Sequence, residues 1–356
     1  MKTARYHGPH DIRLEETAPP DVGPQDVRLE VDSCGICGTD LHEYRDGPIF
    51  VPDEPHPVTG VTAPIVLGHE FSGVVSETGT DVSRISRGDR VVVHPNVPCL
   101  DCHYCEEGTY RRCNASVAIG LQTETGGFAE QAVVSERQIH RLPDAVSLSA
   151  GALVEPLAVG LHAVRRSDLR TGDTAAVFGA GPVGLAVAWA AANAGAKRVF
   201  VSEPATVRRR CALEVGADTV ADPVETDPVD VIRSGTIDGV DVAFEFAGRE
   251  ETIDDAIRST KRGGTIVVGS VWNRQPGVDL NEVVGAEREL RGTNCYGFPP
   301  RSFRTEFDAV INSLANGDVD PDTFITERIA LESVVDAGFE RLLEQGTDHV
   351  KILVEP

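Results

Sequence analysis

The chain has 356 residues, 41% of them hydrophobic, and a formal charge of −23. Its length exceeds what one hydrophobic core usually organises and predicts two domains, while the negative charge argues against nucleic acid or acidic lipid as a partner, because phosphates would be repelled. No apolar run is long enough to cross a bilayer and the charged start MKTARYHGPH leads into no apolar signal segment, so a cytoplasmic protein with no membrane partner is expected.

From residue 1 to about 141, short apolar runs broken by Gly and Pro predict a β-rich, barrel-like or sandwich-like domain, with strands at 27–32, 71–76, 90–93 and 128–134. From about Gly160 the rhythm changes to strand then helix. Strands are expected at 175–178, 198–202, 240–246 and 265–269, and helices at 184–194, 206–215 and 252–260. That alternation predicts an α/β doubly wound parallel sheet. After about Thr293 the pattern predicts helices at 303–316 and 331–343 and a closing strand at 350–354 that returns to the first domain.

The first chemistry-bearing segment is Cys34-Gly-Ile-Cys37-Gly-Thr39-Asp40-Leu-His42, followed by Gly68-His69-Glu70. Together they offer a thiolate, an imidazole and a carboxylate, a mixed set of the kind that catalytic metal sites use. Taken singly, each residue has a plainer reading: a packed thiol, a core histidine, a surface acid.

Next, Cys99-Leu-Asp-Cys102-His-Tyr-Cys105 and Cys113 crowd four thiols into fifteen residues of a chain without an export signal. Four thiolates close a tetrahedron around zinc and leave no open position, so the expectation is a structural site; a redox CxxC pair is the alternative and lacks a thioredoxin-like setting.

Gly179-Ala-Gly181-Pro-Val183-Gly184 follows an apolar strand and opens a helix, and Glu203 ends the next strand. Glycines there permit a tight turn, close approach to a pyrophosphate and helix–strand packing, and the acid can accept both ribose hydroxyls of an adenosine. NAD is therefore expected over NADP. Arg208, Arg209 and Arg210 pull the other way, since one of them could meet a 2′-phosphate.

Only four of the 33 basic residues are lysine (Lys2, Lys197, Lys261 and Lys351). Excess carboxylate with so little lysine fits a halophilic protein, whose self-repulsion is screened by concentrated salt.

In order and spacing, CGICGTDLH, GHEFSG, the four-cysteine lobe, VEPLAVGLHAV and GAGPVG resemble the zinc-containing medium-chain dehydrogenases across essentially the whole chain. The segments 41–50 and 53–69 look most like the (R,R)-2,3-butanediol dehydrogenase branch, with sorbitol and threonine dehydrogenases nearby. The resemblance implies a GroES-like catalytic domain over 1–156 and 293–356, with a structural-zinc lobe at about 95–115, and a Rossmann domain over 157–292. It implies two zinc ions per chain. Cys37, His69 and Glu155 would hold the catalytic ion, Glu155 standing where other alcohol dehydrogenases carry a second cysteine, and Glu70 resembles a mobile carboxylate that ligates directly or exchanges with water.

Zinc of this kind lowers the pKa of a bound alcohol so that hydride can leave to the nicotinamide. Thr39 and His42 resemble the family's proton relay through the cofactor ribose, a solvated loop histidine being the plainer role for His42, and Val183 lies where the family's side chain abuts the dinucleotide, a position equally compatible with simple helix packing. Phe50, Ile119 and Tyr296 are candidates for the substrate wall, with core packing as the competing role. The expected activity is NAD-dependent interconversion of a vicinal diol and its ketol, such as 2,3-butanediol and acetoin. A polyol or sugar dehydrogenase, a threonine dehydrogenase and an inactive nucleotide-binding protein are the alternatives. A homodimer or homotetramer joined through Rossmann-domain strands is also implied.

Overall fold

The computed structural model describes residues 1–272, 274–297, 305–344, 346 and 348–356. The chain divides into two compact units. One comprises Met1–Glu155, Gly297–Pro321 and Ile325–Pro356, and the other Pro156–Tyr296 with Asp322–Phe324.

The first unit is built on a seven-stranded sheet in which Ile139–Arg141, Arg90–Val93, Glu70–Thr78, Asp26–Gly35, Lys351–Glu355 and Ile325–Ala330 lie side by side, and Gln131–Ser135 also pairs with Asp26–Gly35. Asp26–Gly35 shows why: Val27, Leu29 and Val31 are buried while the residues between them are not, the period-two signature of a strand with one face in the core. Its register places Gly35 opposite both Glu70 and Leu353. The C-terminal strand thereby brings Lys351 to the strand that begins at Glu70. A hairpin of Lys2–Gly8 and Asp11–Glu16 adds a small second sheet.

The second unit is a parallel sheet of six strands in the order Thr219–Ala221, Arg198–Ser202, Thr174–Phe178, Val240–Glu245, Thr260–Val268 and Glu289–Gly292. Central strands such as Thr174–Phe178 read as unbroken apolar runs because helices cover both faces. The alanine-rich helix Pro182–Asn193 buries every residue from Gly184 to Ala191. Both edge strands are short, and neither reaches the length at which apolar periodicity is legible in a sequence.

Two of the expected helices differ. The segment 331–343 is a 3₁₀ turn at Leu331–Ser333, a π-helical stretch at Val334–Glu340 and an α-turn at Arg341–Leu343. Two adjacent β-branched valines and Gly338, pressed against Ile36 and Ile329, work against a regular α-helix there. The other helix runs from Glu306 to Asn316, started by a capping box in which Thr305 Oγ1 accepts from the Asp308 N–H and the Asp308 carboxylate accepts from the Thr305 N–H. Phe303, the expected start, lies outside the described residues. No helix among the described residues is long and apolar enough to cross a membrane.

Candidate active site

Cys37 ends the approach from Asp26–Gly35 and is the N-cap of the helix Gly38–Asp46. Its backbone N–H donates to Asp40 Oδ2 at 3.0 Å, and its thiol lies 3.7 Å from the Thr39 hydroxyl. His69 and Glu70 arrive from the adjacent strand, and the ligand atoms of Cys37, His69 and Glu70 all lie within 4.8 Å of one another. His69 Nδ1 sits 3.4 Å from Asp40 Oδ1, and Asp40 is completely buried. A buried carboxylate behind one ring nitrogen orients the imidazole and leaves the other for a metal. Burial would push the His69 pKa down, yet the Asp40 carboxylate and Cys37 sulfur outweigh it and hold it well above the ordinary histidine range. A thiol, an imidazole backed by a carboxylate, and a second carboxylate brought within 4.8 Å form a donor set that suits zinc.

Glu70 has a second partner that the motif does not announce. Lys351 Nζ donates to Glu70 Oε2 and also to the Ile36 carbonyl. Gly35 makes room for the pair: a Cβ there would fall 2.2 Å from Glu70 Oε2 and 3.1 Å from Lys351 Cδ. Glu155, in the first turn of the helix Val154–Arg166, is buried and lies outside the cluster of three. Its charge nevertheless helps to raise the Lys351 pKa, behind the larger opposing effect of burial and the larger raising effects of Glu70 and Cys37.

His42 sits on the same helix as Thr39, half-buried, with Nδ1 3.4 Å from an Arg45 guanidinium nitrogen. Burial, helped by Arg45, lowers its pKa, which keeps the imidazole neutral and able to pass a proton near neutral pH. Cys34 is wholly buried with its pKa raised by burial, the environment of an inert packed thiol. Ile119 belongs to the core of the first unit and Phe50 packs against that core; Tyr296 is buried in the second unit.

The four thiols of the cysteine lobe also fall within 4.8 Å of one another. Cys105 Sγ lies 3.6 Å from Cys102 and 3.9 Å from Cys99, and Cys113 Sγ accepts from the Cys99 N–H at 3.3 Å. Backbone N–H groups, that of Asn114 first, draw the Cys102 pKa down to about 6, whereas burial and neighbouring sulfurs push Cys105 up to about 12. A tetrad in which one thiolate forms readily and its neighbour is resisted is stabilised by a central divalent charge, and an all-sulfur set suits zinc.

In the second unit, Gly179 adopts φ +93°, and a Cβ on Gly184 would lie 1.9 Å from the Gly179 carbonyl, so this turn admits glycine alone at both places. Gly181 is the N-cap of the helix Pro182–Asn193, with Val183 half-buried in its first turn. Glu203 is buried, its Oε2 accepting from the Ala180 N–H at 2.7 Å and its Oε1 from the Ala205 N–H at 2.9 Å. The three arginines separate. Arg209 folds back onto Asp222 and the Glu203 and Pro204 carbonyls, Arg210 is exposed beside Glu214, and Arg208 is half-buried.

Residues 23–144 match the family described as alcohol dehydrogenase GroES-like domain, and residues 182–316 the family described as zinc-binding dehydrogenase. The chain is 42% identical to the (R,R)-butanediol dehydrogenase of Bacillus subtilis (strain 168), over 100% of both chains. It belongs to the zinc-dependent medium-chain alcohol dehydrogenases. Another relative in this family is the sorbitol dehydrogenase of the same strain, 33% identical over 100% of this chain and 97% of that one. Among solved structures, 2R,3R-butanediol dehydrogenase from Bacillus subtilis superposes with a TM-score of 0.90 at 41% identity, covering 100% of this chain and 99% of that one. A zinc-binding dehydrogenase from Sinorhizobium meliloti 1021 bound to NADP gives 0.88 at 33% identity, covering 100% and 99%. The expected fold class is thus the observed one: a GroES-like unit and a Rossmann-type parallel sheet of a medium-chain dehydrogenase.

Asp40 and Lys351 are the partners that the motifs do not announce. Asp40 was inside the motif, three residues after Cys37, and its spacing could have marked it as a cap of the helix; nothing local marks Lys351.

Proposed function

We propose that this dehydrogenase interconverts a vicinal diol and the corresponding ketol with NAD(H), 2,3-butanediol and acetoin being the expected pair. The observation that carries the reading is the clustering of Cys37, His69 and Glu70 within 4.8 Å, backed by Asp40, in a chain that matches (R,R)-butanediol dehydrogenases from end to end. Cys37 and His69 would hold the catalytic zinc in this reading, with a carboxylate from Glu70, which the cluster includes, or from Glu155, which it does not, and Lys351 would retain or release Glu70. When bound, the zinc supplies Lewis acidity toward the alcohol oxygen. Thr39 and His42 take the hydroxyl proton toward solvent, and a neutral His42 suits that role. Cys99, Cys102, Cys105 and Cys113 hold the second, structural zinc.

Gly179, Gly181, Val183 and Gly184 receive the dinucleotide, and Glu203 sets the preference for NAD, because each of its oxygens keeps a lone pair for a ribose hydroxyl and its charge repels a 2′-phosphate. Arg208 flanks the adenosine end. A polyol such as sorbitol is the second reading, supported by the full-length likeness to a sorbitol dehydrogenase. A salt-rich cytoplasm fits the acidic, lysine-poor composition. Assembly as a homodimer or homotetramer is supported by the edge strand Glu289–Gly292, which among the described residues pairs on one side, by exposed Leu290 within it, and by exposed Leu280 and Val284 in the preceding helix Leu280–Val284.

The test is a panel of diols, ketols, polyols, aldoses and threonine assayed with NAD and NADP at high salt. Highest kcat/KM on (R,R)-butanediol or acetoin with NAD(H) is expected. A higher value on sorbitol would replace the diol reading with the polyol one, and a higher value with NADP would remove the role given to Glu203.

A further inference from the structure

The parallel sheet reverses its chain order between Thr174–Phe178 and Val240–Glu245. Doubly wound sheets bind ligands outside the carboxyl ends of the strands at such a reversal. Glu245 is the last residue of its strand and pairs in register with Phe178, the residue before the glycine turn. It is completely buried. Its Oε1 accepts from the N–H groups of Ala247 at 2.9 Å and Gly248 at 2.8 Å and lies 2.8 Å from the Thr252 hydroxyl, and its Oε2 accepts from the Ser270 hydroxyl. Its backbone carbonyl accepts from Gly269 N–H at 3.1 Å. All of these partners are neutral donors, and they come from three places: the loop after its own strand, the first turn of the helix Glu250–Ser259, and the loop after the neighbouring strand. The first of these loops abuts the glycine turn, since a Cβ on Gly179 would lie 3.0 Å from Ala247.

We propose that Glu245 is the positioning residue of the dinucleotide crevice, holding the segments 246–252 and 269–270 in the shape that receives the nicotinamide half of the cofactor. The proposal rests on the dinucleotide-binding reading above. A carboxylate offers acceptors on both oxygens to the four converging donors, whereas a glutamine keeps only one oxygen, would need the Ser270 hydroxyl to turn and accept from its N–H₂, and removes the charge from every bond. Burying a charge without a cation is costly, and a purely structural bracket could have been built from neutral groups. What the charge adds is a set of charge-assisted hydrogen bonds that lock the loop geometry before the cofactor arrives.

The experiment is direct titration of NADH into the zinc-loaded protein, comparing wild type with Glu245→Gln and Ser270→Ala, beside melting curves and steady-state kinetics. The dissociation constant for NADH should rise about tenfold in Glu245→Gln and about threefold in Ser270→Ala, the loss expected for a charge-assisted hydrogen bond. KM for NAD should rise by a larger factor than kcat falls. A lowered melting temperature with NADH affinity within twofold of wild type in both variants would overturn the proposal and leave Glu245 a structural bracket. Should Glu245→Gln fail to fold, Ser270→Ala decides by the same criterion. Wild-type protein that binds neither NADH nor NADPH would instead defeat the dinucleotide reading itself.

Discussion

Lys351 Nζ and Glu70 Oε2 lie 2.5 Å apart, with both side chains 1% exposed, and Glu70 is clustered with Cys37 and His69. An ion pair so deeply buried gains little over an apolar pair of the same shape, but removal of one partner strands the other charge. Lys351→Met should therefore destabilise the chain by about 3–5 kcal/mol, and the double variant Glu70→Gln/Lys351→Met should recover much of that loss. Urea unfolding of the two single variants and the double variant measures the coupling. A Lys351→Met variant as stable as wild type would mean that Glu70 finds another counter-charge.

Glu43 anchors the other end of the helix that starts at Cys37. Its fully buried carboxylate accepts from the N–H groups of Ile49, Phe50 and Val51, at 2.7 Å for Phe50, and from the Tyr6 hydroxyl at 3.3 Å. The segment 47–64 is thereby tied to the helix that carries Thr39, Asp40 and His42. Glu43→Gln leaves converging N–H groups facing an amide and should cost about 2–3 kcal/mol, with faster proteolytic cleavage within 47–64. An unchanged melting temperature and cleavage rate would remove Glu43 as the anchor of that segment.

These two residues show where the sequence stops being legible. CGICGTDLH, the four-cysteine lobe and GAGPVG are contiguous, so spacing alone exposes their chemistry, and the strand–helix rhythm of 174–268 follows from apolar runs that each suffice to define an element. Lys351 meets Glu70 only because Gly35 stands opposite both Glu70 and Leu353, a register set by three strands distant in the chain. Glu43 and Glu245 work through backbone N–H groups, which no residue letter records. The 3₁₀ and π turns at 331–340 are not legible for a related reason: Leu331, Val334, Val335 and Phe339 keep the i, i+3, i+4, i+8 spacing of an α-helix, and what departs from it is the packing of Gly338 against Ile36 and Ile329, which are distant in the chain.

His94 supplies a pH prediction. It is completely buried, its ring 4.8 Å from that of Phe307 and 6.1 Å from that of His140, which itself pairs with Asp308 at 3.1 Å. Burial, with a smaller contribution from His140, lowers the His94 pKa to about 3. Between that value and the unfolded value of about 6.5 the unfolded chain binds a proton that the native chain refuses, so stability falls as pH falls through this window. His94 alone should cost about 2 kcal/mol between pH 7 and pH 5. In His94→Leu the stability difference between pH 7 and pH 5, taken from denaturant midpoints, should shrink by that amount. An unchanged difference would mean that the imidazole is protonated in the fold.

The two metal clusters differ in what their loss should do. Four sulfurs complete a tetrahedron by themselves and tie together a segment, 99–113, that contains one short helix and a 3₁₀ turn as its only regular elements. Its metal is therefore part of the local fold, and Cys102→Ser should lose one zinc equivalent and lower the melting temperature by about 10 °C. Cys37, by contrast, is held by the start of the helix Gly38–Asp46 and follows a long strand paired along its length with Glu70–Thr78, so backbone hydrogen bonds and an apolar core carry the local fold. Cys37→Ser should lose the other zinc equivalent and abolish turnover, with NADH binding retained and a melting temperature close to wild type. Zinc analysis of the two variants beside wild type, with NADH titration, separates the roles: a wild-type chain holding a single zinc, or a Cys37→Ser variant that still turns over, would contradict the assignment of one cluster to chemistry and the other to structure.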